Sequence, residues 1–257
     1  MSGEDSLRRA SLISVVIPVL EEATQIGERL CELAPFAFHE VIVVDGGSID
    51  ETRTVVRRFP DVLLVEAPRG RARQMNEGAR RATGDVLLFL HADVSLPPDA
   101  LSHIRGALAR PGTAAGAFRT WTVADGDGPR PWWSSLLHLA DLRSRYSRLP
   151  YGDQAIFLRR EVFQSAGGFP EIPLMEDLAF SRNLSALGVV RTIPARVTVS
   201  GRRFIERPLY YTLLANVFPL LFRLGVPASV LAVAYGDVRG RGHRPSASAS
   251  ASARGAP

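Results

Sequence analysis

The sequence predicts an α/β domain built on a mostly parallel, helix-covered sheet, and three observations carry that expectation. Apolar, β-branched runs alternate with helical patterns through the N-terminal part of the chain. The runs are nearly continuous in hydrophobicity, as strands are when both faces of a parallel sheet are covered. The 257-residue length suffices for one such domain with a full core.

Taken in order, Leu12–Val19, Glu40–Val44, Val62–Glu66 and Asp85–Leu90 read as strands. Glu22–Ala34, Asp50–Phe59 and Arg71–Ala82 read as the helices between them, and alternation at this spacing implies βαβ units. Beyond Pro98 the pattern loosens. Ala115–Val123 and Gln154–Arg159 read as strands, Glu176–Leu187 as a helix, and Pro131–Tyr151 as a loop with one amphipathic helix. Residues 1–11 form a flexible N-terminus in this reading, 12–205 the main domain, 206–238 a pair of apolar C-terminal helices, and 239–257 a disordered Gly/Ser/Ala/Arg tail.

Apolar residues make up 46% and charged residues 22%, ordinary values for a globular protein. The net charge is +5, and no lysine contributes to it: every basic side chain apart from histidine is an arginine. That excludes a Schiff-base lysine and a Walker phosphate loop. Arginine still suits two-point recognition of phosphate. So modest a charge predicts no nucleic-acid partner. A lone Cys31 rules out an internal disulfide framework; with Ile26, Leu30 and Leu33 it fits a helix, close to the core. The polar N-terminus lacks a signal-peptide stretch, so a reducing, cytoplasmic setting is expected.

In open α/β sheets ligands bind beyond the carboxyl ends of the strands, so polar residues there are informative. The first strand ends in Pro18, where pairing is expected to stop, with Glu21 and Glu22 facing the crevice or capping the next helix. The second ends in Asp45-Gly46-Gly47-Ser48-Ile49-Asp50: Asp45 at the tip, glycines permitting close ligand approach, and Ser48 and Asp50 as helix caps. No G-x-G-x-x-G is present. Arg69, Arg71 and Arg73 crowd a helix start, where cations oppose the dipole; an anionic ligand would relieve the conflict, while a solvated loop is the plainer alternative. The fourth strand runs into His91-Ala92-Asp93, and a carboxylate there suits a hard divalent cation on a diphosphate. His91 reads as a co-ligand or as a neutral histidine bonded to the backbone.

Val15–Glu22, Val43–Asp50, Gly78–Asp93 and Gly167–Asp177 together resemble a family 2 glycosyltransferase of the GT-A fold, with its Rossmann-like sheet. The likeness spans Leu12 to Phe204 and points to the small bacterial subgroup with a Leu-His-Ala-Asp signature. It implies donor contacts at Pro18, Glu22, Asp45, Gly46, Arg73, Asp93 and Arg203. Asp93 would hold a Mn²⁺ or Mg²⁺ ion that bridges the diphosphate, although His91 stands where the family carries the first carboxylate of its D-x-D motif. Gly152, Asp153, Gln154 and Gly168 match the acceptor-side segment. Met175-Glu176-Asp177 matches the Glu-Asp motif, whose aspartate is the catalytic base. The implied activity is metal-dependent, inverting transfer from a nucleoside diphosphate sugar, expected to be a UDP-sugar, to an unidentified acceptor that lipid-like chemistry would suit. The alternatives are a sugar-1-phosphate nucleotidyltransferase, against which the missing lysine-containing phosphate loop speaks, and a non-catalytic sugar-nucleotide-binding protein.

Leu209–Phe222 falls short of the ~20 residues that span a bilayer, and Pro219, Arg223 and Pro227 are expected to break the run. Tyr210, Tyr211 and the nearby arginines suit helices lying on the inner face of the cell membrane. Helices packed on the core or at a homodimer interface account for the same pattern.

Overall fold

The computed structural model describes residues 11–123, 141, 144, 149–201 and 208–240, with the backbone alone at 208–215 and 236–240. The chain folds as β1 (Ile13–Val19), α1 (Ala23–Leu33), β2 (Glu40–Asp45), α2 (Thr52–Val56), β3 (Val62–Glu66), α3 (Arg71–Arg81) and β4 (Val86–Phe89). Next come β5 (Val94–Ser95), α4 (Ala100–Leu108), β6 (Thr113–Val123), β7 (Phe157–Arg159), α5 (Arg160–Ser165), α6 (Glu176–Leu187) and β8 (Val189–Ser200). The described chain closes with α7 (Pro208–Arg223) and α8 (Ala228–Gly240). Residues 1–10 and 241–257, nearly all of the ends expected to be disordered, lie outside the described residues, as does most of the Pro131–Tyr151 loop.

The sheet order is β3-β2-β1-β4-β7-β6-β8-β5. It is parallel from β3 to β4, antiparallel through β7 to β6, parallel again between β6 and β8, and antiparallel at β5. The expected mostly parallel sheet is therefore mixed. Strand periodicity sends alternate side chains to opposite faces. Ile13, Val15, Ile17 and Val19 pack with Ile26, Leu30 and Leu33 of α1 and Ile104 of α4. On the other face Val16, Ile42 and Val44 pack with Ala72, Met75 and Ala79 of α3, and Phe163, Phe169 and Phe180 extend that layer. Gly78 lets α3 lie close on β1: a Cβ there would stand 2.3 Å from Val16 Cγ1.

Three local expectations are corrected. Cys31 is on a helix as expected but exposed, because it sits one residue past buried Leu30 and so turns off the core stripe. Pro18 does not end β1; it pairs in register with Val44 of β2, while pairing with β4 stops at Val16. Pro219 lies within α7 rather than ending it, and the chain turns at Gly225 (φ +95°) and Pro227 instead.

Candidate active site

At the tip of β2, Asp45 is wholly buried. Its carboxylate accepts the N–H groups of Gly47 (3.1 Å) and Ser48 (3.1 Å) and the Ser48 hydroxyl. Arg53 Nε stands 3.8 Å away. The carboxylate thus organises the turn, and the turn's outer surface, with Ile49 almost fully exposed, meets solvent. Gly46 has a separate reason: the Gln74 amide donates to the Val19 and Val44 carbonyls (2.7 and 2.8 Å), and a Cβ at Gly46 would stand 2.9 Å from that side chain. Ser48 does not cap a helix; its oxygen accepts the Glu21 N–H at 3.0 Å. Glu21, in left-handed backbone (φ 57°), returns its carboxylate to the Ile49 N–H at 2.8 Å. Glu22 occupies the N-cap position of α1, where its N–H donates to Thr52 Oγ1 at 2.9 Å. Asp50 receives the first N–H of α1, Ala23 (3.2 Å), and that of α2, Thr52 (3.0 Å).

The three arginines of the α3 start diverge. Arg69 is exposed. Arg73, the expected nucleotide contact, pairs at the surface with Glu171 (2.9 Å). Arg71, though itself partly exposed, is the one of the three that reaches a buried carboxylate, 3.1 Å from Glu176 at the start of α6. Glu176 raises the Arg71 pKa most; burial opposes it, and Asp177, Tyr235 and Asp93 add to the rise. Arg71 is therefore the positive centre of an otherwise acidic cluster. Tyr235 also places α8 beside the site, and its ring meets Phe218 of α7 at 6.4 Å.

Asp177 follows Glu176 and lies at the heart of the cluster. Its Oδ2 accepts the Gly152 N–H (2.6 Å) and its Oδ1 the Leu178 N–H (2.7 Å). Burial, then the neighbouring Glu176 carboxylate, pushes its pKa up to about 6, against the Gly152 N–H, Arg71 and the Leu178 N–H. A carboxyl so tuned is ionised near neutrality yet basic enough to take a proton from a hydroxyl. Burial, then Arg71, pushes His91 down to about 4, against Asp93, Asp153 and Glu176, so its imidazole is neutral.

Gly152, Asp153 and Gln154 form a 3₁₀ turn against this cluster. Gln154 is buried, donating to the Phe118 carbonyl (2.8 Å) and accepting the Tyr151 N–H (3.0 Å), a bracing role within the turn. Ala155 next to it has φ 49°. Gly168 sits apart, where a Cβ would stand 2.8 Å from Asn76 Oδ1. Asn76 clamps the Phe169 backbone in both directions, at 2.9 and 2.8 Å. Arg203 lies outside the described residues.

Asp93 is half-buried beyond β4, and its carbonyl accepts the Ser200 N–H at 2.9 Å. Among the described residues no three His, Cys, Asp or Glu side chains converge as a metal cage. One carboxylate nevertheless fits the manner in which a Mg²⁺-type ion is held, by one or two carboxylates plus substrate phosphates.

Gln74, Asn76 and Tyr235 carry no motif that marks them in the sequence, and Arg71 is marked there only as one of three arginines.

Acidic groups and one arginine lie beyond the strand ends of an α/β sheet, the place where proteins of this class bind their ligands. Residues 14–167 match the model of glycosyl transferase family 2, and the chain belongs to that family. It is similar to glycosyltransferase AglE of Haloferax volcanii, 28% identical over 171 residues, which cover 62% of this chain and 56% of that protein. The chain thus spans about half the length of that curated relative. Its fold is similar to that of the mannosyltransferase PcManGT from Pyrobaculum calidifontis in complex with GDP-Man and Mn²⁺ (TM-score 0.61, 23% identity, 86% of this chain and 67% of that one). It is similar also to S. aureus TarS 1-349 in complex with UDP-GlcNAc (TM-score 0.57, 20% identity, 74% and 59%). These two likenesses bear on the fold, which is of the GT-A kind.

Proposed function

We propose that the protein transfers a sugar, with inversion, from a nucleoside diphosphate donor of the UDP-sugar type to a hydroxyl acceptor. The observation that carries this is Asp177, a carboxyl with raised pKa held between the Gly152 N–H and the Arg71–Glu176 pair. In this reading Asp177 takes the proton of the acceptor hydroxyl as its oxygen bonds to the anomeric carbon. The bond from that carbon to the diphosphate oxygen breaks, and its electron pair leaves with the nucleoside diphosphate. Glu176, paired to Arg71, sets the charge around the base rather than serving as one. Arg71 offers the leaving diphosphate a partly exposed guanidinium. The Asp45–Asp50 turn supports the nucleoside through its outer surface, with Asp45 as its internal brace. Asp93 would hold the divalent cation, which supplies neutralisation of the diphosphate's charge when bound.

A panel of UDP-glucose, UDP-GlcNAc, UDP-galactose and GDP-mannose with Mn²⁺ or Mg²⁺ tests the reading. A donor at ~100 times its dissociation constant adds roughly 2.7 kcal/mol of stability. Turnover should release nucleoside diphosphate; release of pyrophosphate, or stabilisation by none of the four, would sink it.

A second reading concerns where the acceptor is met. Leu220, Leu224, Val230 and Val233 flank the α7–α8 turn and are 56%, 74%, 56% and 68% exposed. None of the described helices is long and apolar enough to cross a membrane. Such an apolar tip, on a chain of net charge +5, suits an anionic lipid surface and an acceptor carried there.

A further inference from the structure

The Gly152 backbone is where two side chains from distant parts of the chain close on one point. A Cβ added there would lie 2.8 Å from His91 Cε1, 2.9 Å from His91 Nε2 and 3.3 Å from Asp177 Oδ2. The imidazole edge and the carboxylate therefore share one face of a glycine whose N–H already donates to Asp177 Oδ2 at 2.6 Å. His91 follows β4, in the position where the family resemblance leads one to expect the first carboxylate of a metal-binding pair. Its Cε1–Nε2 edge packs on Gly152, at the same point that Asp177 Oδ2 approaches.

The chemistry of the neighbourhood explains why a histidine suits that place. Glu176 and Asp177 already put two carboxyl groups on this side of the cluster, with Asp153 nearby. A third carboxylate against Gly152 would add like-charge repulsion to a buried base. An imidazole brings hydrogen-bonding capacity without that charge. Fixing the orientation of a nucleophile beside its base is a large part of what such sites contribute to rate.

We propose that His91 is an acceptor-positioning residue: its Nε2 hydrogen-bonds the attacking hydroxyl beside Asp177 Oδ2, and it does not ligate a cation at Asp93. This rests on the transferase reading above, with Asp177 as the base.

The test uses the full chain, the nucleotide sugar that turns over fastest in the four-donor panel, and glycerol as a simple hydroxyl acceptor, with water as its competitor. His91→Leu should raise KM for glycerol or lower the rate of donor consumption by about 10- to 100-fold. Affinity for the nucleoside diphosphate in Mn²⁺ should stay unchanged by calorimetry. His91→Gln, which returns a hydrogen-bonding group to the Nε2 position, should recover most of the loss; a merely structural imidazole would not be rescued in this way. Gly152→Ala should displace imidazole and carboxylate together and lose transfer at unchanged diphosphate affinity. Circular dichroism confirms folding of each variant. Parental kinetics in His91→Leu overturn the proposal. So does a Mn²⁺-dependent fall in diphosphate affinity that vanishes with chelator, the mark of a metal ligand. Should the parent protein release no nucleoside diphosphate from any donor, the transferase reading fails, and the proposal with it.

Discussion

Replacing Asp177 with asparagine separates the two consequences of burying this carboxyl. The structure raises its pKa from the ordinary 3.8 to about 6. Between those values the folded protein binds a proton that the unfolded chain has already released. The unfolded state therefore binds fewer protons, and stability falls as pH rises through this window, with the loss complete above the folded pKa. A shift of that size corresponds to about 2–3 kcal/mol at most, with some discount for the carboxyl's partial exposure. The asparagine variant has no proton to lose. Denaturant unfolding of both proteins from pH 4 to pH 8 should show the parent losing ground to the variant by about that amount, nearly all of it below pH ~7. Any fixed cost of placing an amide NH₂ against the Gly152 or Leu178 N–H is the same at every pH, so it cancels in the slope. Transfer should fall about two to four orders of magnitude in the variant. In the parent, transfer should decline with acid below about pH 6. Parallel stability curves, or full parental activity at pH 4, would refute the reasoning.

Arg71→Met leaves buried Glu176 without its partner and should cost about 1–3 kcal/mol, discounted because Arg71 is itself 41% exposed. It also removes a charge that lowers the Asp177 pKa, so the acid limb of transfer should move to higher pH; a limb that stays put would contradict the assigned electrostatics. Asp93→Asn should weaken nucleoside diphosphate binding in Mn²⁺ and leave it unchanged in chelator; equal calorimetric affinities in all four combinations would remove Asp93 as a ligand. Leu224→Ser with Val233→Ser should release the protein from anionic vesicles without lowering its melting temperature, since both side chains are exposed. A parent that stays in the supernatant at low salt would end the membrane reading.

The parallel half of the sheet was legible in the sequence because its strands are short, apolar and bounded by turns. Val62–Glu66 and the α6 span Glu176–Leu187 match residue for residue. β8 was not, for a physical reason. Val189–Ser200 is interrupted by Arg191, Pro194 and Arg196, and only Ile193, Val197 and Val199 along it are buried, so neither a continuous apolar run nor a clean alternation marks it. Proline is tolerated there because the β6–β8 register slips between Ala117 and Arg119, leaving an irregularity opposite it. Within the site the same division holds. The acidic pair that opens α6 is visible as helix-start charge, and a helix N-terminus by itself favours its ionised form. What poises Asp177 comes from elsewhere. The guanidinium that holds Glu176 arrives from 105 residues away, and the Gly152 N–H that meets Asp177 from 25 residues away. No spacing rule connects Arg71 to Glu176, so a sequence reader sees three arginines and has no means to choose among them. Left-handed backbone at Ala155 and Met175, non-glycine residues that bear such φ values only when their surroundings enforce them, flanks the Gly152 turn and the start of α6. The base is thus poised by tertiary contacts: its identity is local, while its pKa belongs to the fold.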